Sequence, residues 1–173
     1  MSKSNRIILI IVGVLIAAVA VLAYLNQGDA ALKLALQENR QFLLKVNGET
    51  AAVVGLQDIL DIGTEKFVTR ISSTVATPRD AGFEGVELRR IYEHMGVDVS
   101  EATAFHAKGL DGYFSPISAK QVAAEETIYI CIAMDGEILT DKSSGGWGPF
   151  LLVIRGSRFS QWWCKYLEEI DAK

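Results

Sequence analysis

An uncharged run of 19 residues, Ile7 to Leu25, constrains this chain more than any other feature. Ile, Leu, Val and Ala dominate it, so a helix built from it is apolar on every face. Such a helix does not belong on the surface of a globular domain. At 1.5 Å per residue it would span about 28 Å, close to the hydrocarbon core of a bilayer. Lys3 and Arg6 precede the run and Asp29 follows it. That order predicts an N-terminus inside and the remainder translocated. A cleaved leader has a shorter apolar core that ends in small residues. Here the triplet Ala18 to Ala20 lies within the run, which favours an uncleaved anchor over a signal.

The expected organisation is therefore a membrane anchor or signal over 1–26, a juxtamembrane linker over 27–39 and one domain over 40–173. The domain is expected on the extracytoplasmic side, periplasmic or at the cell surface. Its length is enough for a real core without help from disulfides. Setting aside Lys3 and Arg6 leaves 15 basic against 21 acidic residues, a net of −6. No basic stripe appears, which argues against nucleic acid as a partner. Cys131 and Cys164 are the only cysteines, and two so far apart form no metal-binding motif. A bridge between them would close a loop of about 33 residues and add roughly 3–4 kcal/mol. Cys131 also sits in an apolar run that suits a buried thiol, so both states stay open.

Short strands and helices alternate along the domain. Phe42–Val46 and Ala51–Val54 read as a hairpin around Asn47-Gly48. Gly55 to Leu60 has helical spacing, and Phe67 to Ser72 alternates like a strand. Pro78 to Gly82 reads as loop and Val86 to Met95 as a helix. Ala102–Ala107 is expected as a strand, Lys108–Tyr113 as a loop and Ser118 as a helix cap. Thr127–Met134 is apolar on both faces, the mark of a central strand. Ser143 to Pro149 is a glycine-rich loop, Phe150–Ile154 a strand, and Trp162–Ile170 holds the last one. This irregular alternation predicts α+β, a mixed sheet with short helices around it.

Four segments, in order, carry a resemblance. They are Phe83-Glu84-Gly85-Val86-Glu87-Leu88, Asp111-Gly112-Tyr113 before Ser115-Pro116-Ile117, Met134-Asp135-Gly136-Glu137-Ile138-Leu139, and Gly145-Gly146 through Pro149 to Ile154. Lys165-Tyr166-Leu167 closes the series. Together they resemble the molybdopterin-binding domain of sulfite oxidase-type oxidoreductases. The resemblance implies that fold, with a pocket for a pterin cofactor whose molybdenum is held by one cysteine thiolate upstream of Gly85.

The chain departs from that pattern at two places. Ser72-Ser73-Thr74-Val75-Ala76-Thr77 stands where the thiolate is expected, and a hydroxyl is a poor substitute for a soft ligand. Phe150 and Leu151 stand where the family carries an arginine toward phosphate. The sequence reading is thus a tethered binding module on this fold, with no resident cofactor. It would take a small anionic or planar ligand, or a membrane-complex protein. Ser73, Arg79, Tyr113, Gly146, Trp147 and Lys165 are expected to line the pocket, with no catalytic and no metal residue assigned. The alternatives are a molybdopterin oxidoreductase with altered ligands, using Cys131, Cys164 or a hydroxyl, and a structural accessory subunit. The loop from Ser143 to Gly148 also offers an amide nest for phosphate, against a plain flexible loop. Arg70, Arg155 and Arg158 are further candidate cations. His94 and His106 lack a metal-binding context, and Glu125-Glu126 read as solubilising charge.

Overall fold

A long helix leads into a domain built on two five-stranded sheets. The computed structural model describes residues 3–73 and 77–173. The chain divides into two units, Met1–Ala35 and Leu36–Lys173. Helix α1, Lys3–Glu38, spans the described residues of the first unit and runs through the segment expected as a linker. Among its described side chains Ile10, Val14, Ile16, Val19 and Leu22 are exposed, while Leu36 near its end is buried. Among the described residues no helix is long and apolar enough to cross a membrane, so the expected span is not supported there.

The domain opens on the hairpin of β1, Gln41–Val46, and β2, Glu49–Gly55. Asn47 and Gly48 both have positive φ, 52° and 89°, as the tight turn between twisted strands requires. Then follow α2 (Leu56–Ile62), β3 (Glu65–Ile71), β4 (Arg79–Glu87) and α3 (Leu88–His94). The second half contains β5 (Ala104–Gly109), β6 (Phe114–Ser118), α4 (Ala119–Ala123), β7 (Ile128–Met134), β8 (Glu137–Ile138), β9 (Leu151–Ile154) and β10 (Leu167–Ala172). This is the α+β class read from the sequence.

The first sheet runs β2-β1-β10-β5-β6. β10 lies parallel to β1 and antiparallel to β5, so it joins two hairpins. The second sheet runs β3-β4-β7-β8, with β9 also paired to β7. Every residue of β7 from Ile128 to Ala133 is buried, as its two apolar faces predict. Phe42, Phe83, Tyr92, Phe105, Tyr129, Phe150 and Trp163 fill one core. Aromatic edges meet there, with Phe42 on Phe150 at 5.0 Å and Phe83 on Trp163 at 5.4 Å.

Three local expectations change. Pro78 to Gly82 is not all loop, because Arg79–Gly82 begins β4 and pairs with Val68 to Ile71. The alternation of buried Ala81 and Phe83 with exposed Asp80 outweighs the breaker residues around it. The helix expected from Val86 starts at Leu88, since Gly85–Glu87 pair with β7. Trp162 does not share a strand face with Cys164. Ser160–Trp162 is a 3-10 turn that leaves Trp162 exposed and turns both Trp163 and Cys164 inward.

The cysteines are free and buried. Cys131 pairs with Leu151, and Cys164 bridges Leu152 on the other side of β9. Neighbouring positions on β9 point to opposite faces. The two thiols are therefore two strand spacings apart, about 10 Å, and on opposite faces, which rules out a bridge.

Candidate functional site

Four separate loops converge on a cavity of about 400 Å³. Ile71 and Ser73 reach it from the end of β3, and Asp111 and Tyr113 from the β5–β6 loop. Trp147 comes from the glycine-rich loop before β9. Ser160, Gln161, Trp163 and Lys165 come from the segment between β9 and β10.

Hydrogen bonds between these loops fix the walls. Ser160 donates its backbone N–H and its hydroxyl to the Ser72 carbonyl, at 2.9 and 2.8 Å. The Tyr166 N–H donates to the Trp147 carbonyl at 3.0 Å, and the Leu110 N–H to the Tyr166 carbonyl at 2.9 Å. Asp111 Oδ1 accepts from the Tyr113 N–H at 3.0 Å, and the Tyr113 hydroxyl donates to the Gln161 carbonyl. Gly109 lets the strands close up. A Cβ there would meet the Lys165 carbonyl at 2.5 Å and Asp111 Oδ1 at 2.8 Å.

The electrostatic centre is Lys165. Its Nζ lies 3.6 Å from the centroid of the Trp147 ring. Burial lowers its pKa, and the nearby Asp111 carboxylate opposes that shift. Burial, with Cys164 and Asp111 close by, raises the Tyr113 hydroxyl. The Cys164 thiol lies behind the wall, fully buried, and burial followed by Asp111 and Glu168 pushes its pKa up to about 12. Burial also pushes Cys131 well above the usual thiol value.

Residues 36–173 match the profile of a family described as oxidoreductase molybdopterin binding domain. The chain belongs to that family. The solved structure of the sulfane dehydrogenase SoxCD from Paracoccus pantotrophus is similar, with a TM-score of 0.63 and 15% identity. The match covers 76% of this chain and 37% of that one, and at such identity it shows the fold alone. No curated protein matches this chain.

The sulfite oxidase-type resemblance implies a thiolate for the metal, and the described donors do not fit that role. Both thiols are buried with raised pKa values, so neither is an available thiolate. Ser72 and Ser73 are described before β4, while Thr74, Val75 and Ala76 of the expected ligand segment lie outside the described residues. Among the described residues no cluster of three or more His, Cys, Asp or Glu could hold a metal ion. A pterin phosphate fares no better. Phe150 and Leu151, where the family's arginine is expected, are fully buried in the core.

Of the six residues expected to line the pocket, the structure brings Ser73, Tyr113, Trp147 and Lys165 to one cavity. Gly146 sits beside it in a packing role, since a Cβ there would meet the Thr140 carbonyl at 2.1 Å. Arg79 lies elsewhere and pairs with Asp135 at 2.8 Å. The amide nest is not available either. The N–H groups of Ser144, Gly145, Gly146 and Gly148 all donate within the loop, to Asp141, Lys142 and Thr140.

The other candidate cations are engaged as well. Arg70 pairs with Asp80, Arg155 with Glu126, and Arg158 lies over Phe159. Glu125 pairs with Arg89, so Glu125 and Glu126 form no acid–base dyad. His94 is exposed, and His106 packs against Phe114 at 4.8 Å. Sequence reasoning missed Ile71, Asp111, Ser160, Gln161 and Trp163 as lining residues. Asp111 was visible within its Asp-Gly-Tyr segment. Ser160 and Gln161 carry no signal beyond their polarity.

Proposed function

We propose that this molybdopterin-binding-like domain is a binding module without molybdenum redox chemistry. It takes a small planar ligand in the cavity between Trp147, Tyr113 and Lys165. One observation carries the reading: an aromatic-lined cavity holds a half-buried ammonium, while both thiols are buried and neither lines it. The volume falls within the range of small-molecule sites, and a mostly apolar lining with a few placed polar groups is typical of them.

The module is tethered, on this reading, by the apolar run from Ile7 to Leu25, which places the domain on the extracytoplasmic side. What supports the tether is the exposure of large aliphatic side chains around α1, which need a non-aqueous environment. A sensor or an accessory subunit of a membrane complex would use such an arrangement.

The test is to express the full chain in a molybdenum-replete host and to measure molybdenum by elemental analysis and pterin by fluorescence after oxidation. Neither signal is expected. About one molybdenum per chain would overturn the reading in favour of an oxidoreductase with an altered ligand set. Pterin without metal would make the planar ligand a pterin. Recovery of the chain from membranes after an alkaline carbonate wash checks the tether, and release by that wash would sink it.

A further inference from the structure

The proposed planar-ligand reading leaves the charge of the ligand open. The cavity itself carries two opposite charges, Lys165 and Asp111, and among its described lining residues Lys165 is the only lysine or arginine. We infer that the site selects a small aromatic zwitterion, with its carboxylate on Lys165, its ammonium on Asp111 and its ring against Trp147 and Tyr113. This rests on the binding-module reading above.

Three observations converge. Among the described residues no carboxylate is in ion-pair contact with Lys165, whose ammonium rests on the Trp147 ring at 3.6 Å. A partly desolvated ammonium that rests on a ring, with Asp111 near it but not in ion-pair contact, gains from an incoming carboxylate, because both charges then meet in a low-dielectric space. Asp111 is held in place at the same time. Its Oδ1 accepts the Tyr113 N–H, and the packing around Gly109 sets it close to the Lys165 backbone. Asp111 is exposed and lines the cavity. A ligand with one negative charge and nothing else would be repelled by that carboxylate, and a phosphate dianion would be repelled more strongly. A ligand with one charge of each sign satisfies both groups. Tyr113, Trp147 and Trp163 supply ring surface for its aromatic part.

The loop chemistry supports the same choice. A site for a polyanion uses free backbone amides or an arginine fork. Here the amides of the glycine-rich loop donate internally, and Arg70, Arg79 and Arg155 are paired with other carboxylates.

The experiment uses the full chain in mild detergent and four probes that share one ring: tryptophan, indole-3-propionate, tryptamine and indole. Binding is read by calorimetry. Tryptophan is expected to bind at least about tenfold more tightly than the other three. Asp111→Asn keeps the acceptor for Tyr113 and should bring indole-3-propionate level with tryptophan. Lys165→Met should do the same for tryptamine. Circular dichroism melts confirm that each variant folds. If indole-3-propionate outbinds tryptophan in the unaltered chain, or if neither variant changes the ranking, the zwitterion inference is wrong while the binding-module reading stands. If none of the four binds, both fail for this ligand class.

Discussion

Cys131 and Cys164 stand on opposite faces of one sheet with β9 between them. The two are therefore independent thiols, each shielded by packing. Neither should react with a maleimide under native conditions, and both should react in denaturant. Electrophoretic mobility should not change on reduction. The pH dependence follows from the raised pKa of Cys164. A thiol raised from about 9 to about 12 contributes stability that is present below about pH 9. That contribution is lost as the pH climbs towards about 12. Melts between pH 8 and 11 should show a falling Tm, and Cys164→Ala should flatten the slope.

Gly85 is closed in by the backbone of the neighbouring strand. A Cβ there would meet the Ile130 carbonyl at 2.4 Å and the Cys131 Cα at 2.7 Å, both backbone atoms of β7. The register of β4 on β7 also shifts between Glu84 and Gly85. Gly85→Ala should cost about 3 kcal/mol, measured by urea unfolding. Gly82→Ala on the same strand meets nothing within 4 Å and serves as the control.

Arg79 belongs to a surface ion pair and not to the cavity. Its guanidinium donates to Asp135, as does the Gly82 N–H, and together they hold the Asp135 carboxyl below its usual value. The stabilisation exists above about pH 4 and disappears as the pH falls through the lowered pKa. Arg79→Ala should lower the Tm by less than about 3 °C at neutral pH, with the difference vanishing in acid and in high salt. Ligand affinity should not change.

Helix α4 depends on its cap. The Ser118 hydroxyl accepts from the Gln121 N–H at 3.3 Å, and the Gln121 side chain accepts from the Ser118 N–H at 3.0 Å. Ser118→Ala should cost about 1 kcal/mol by chemical denaturation. Ser118→Asp should recover most of that.

The sequence made some of this plain and hid the rest for physical reasons. The hairpin at Asn47-Gly48 was legible because only a few residues tolerate two successive positive φ values. β7 was legible because both of its faces are apolar. β4 was not, because Pro78 and Gly82 mask a strand whose partners, β3 and β7, lie at other places in the sequence. Trp147 and Lys165 were legible as candidates, but their contact was not. It arises from two loops brought together by β9 and β10, and nothing local encodes that distance. The roles of Arg79 and Gly146 depended likewise on which carboxylate and which carbonyl the fold set beside them.

β10 lies in the middle of the first sheet, yet it is the last strand of the domain to be made. Until it emerges from the ribosome, the hairpins β1–β2 and β5–β6 have no shared partner and their inner edges stay open. The first sheet therefore cannot close until that strand is made, and until then its open edges suit a holding chaperone.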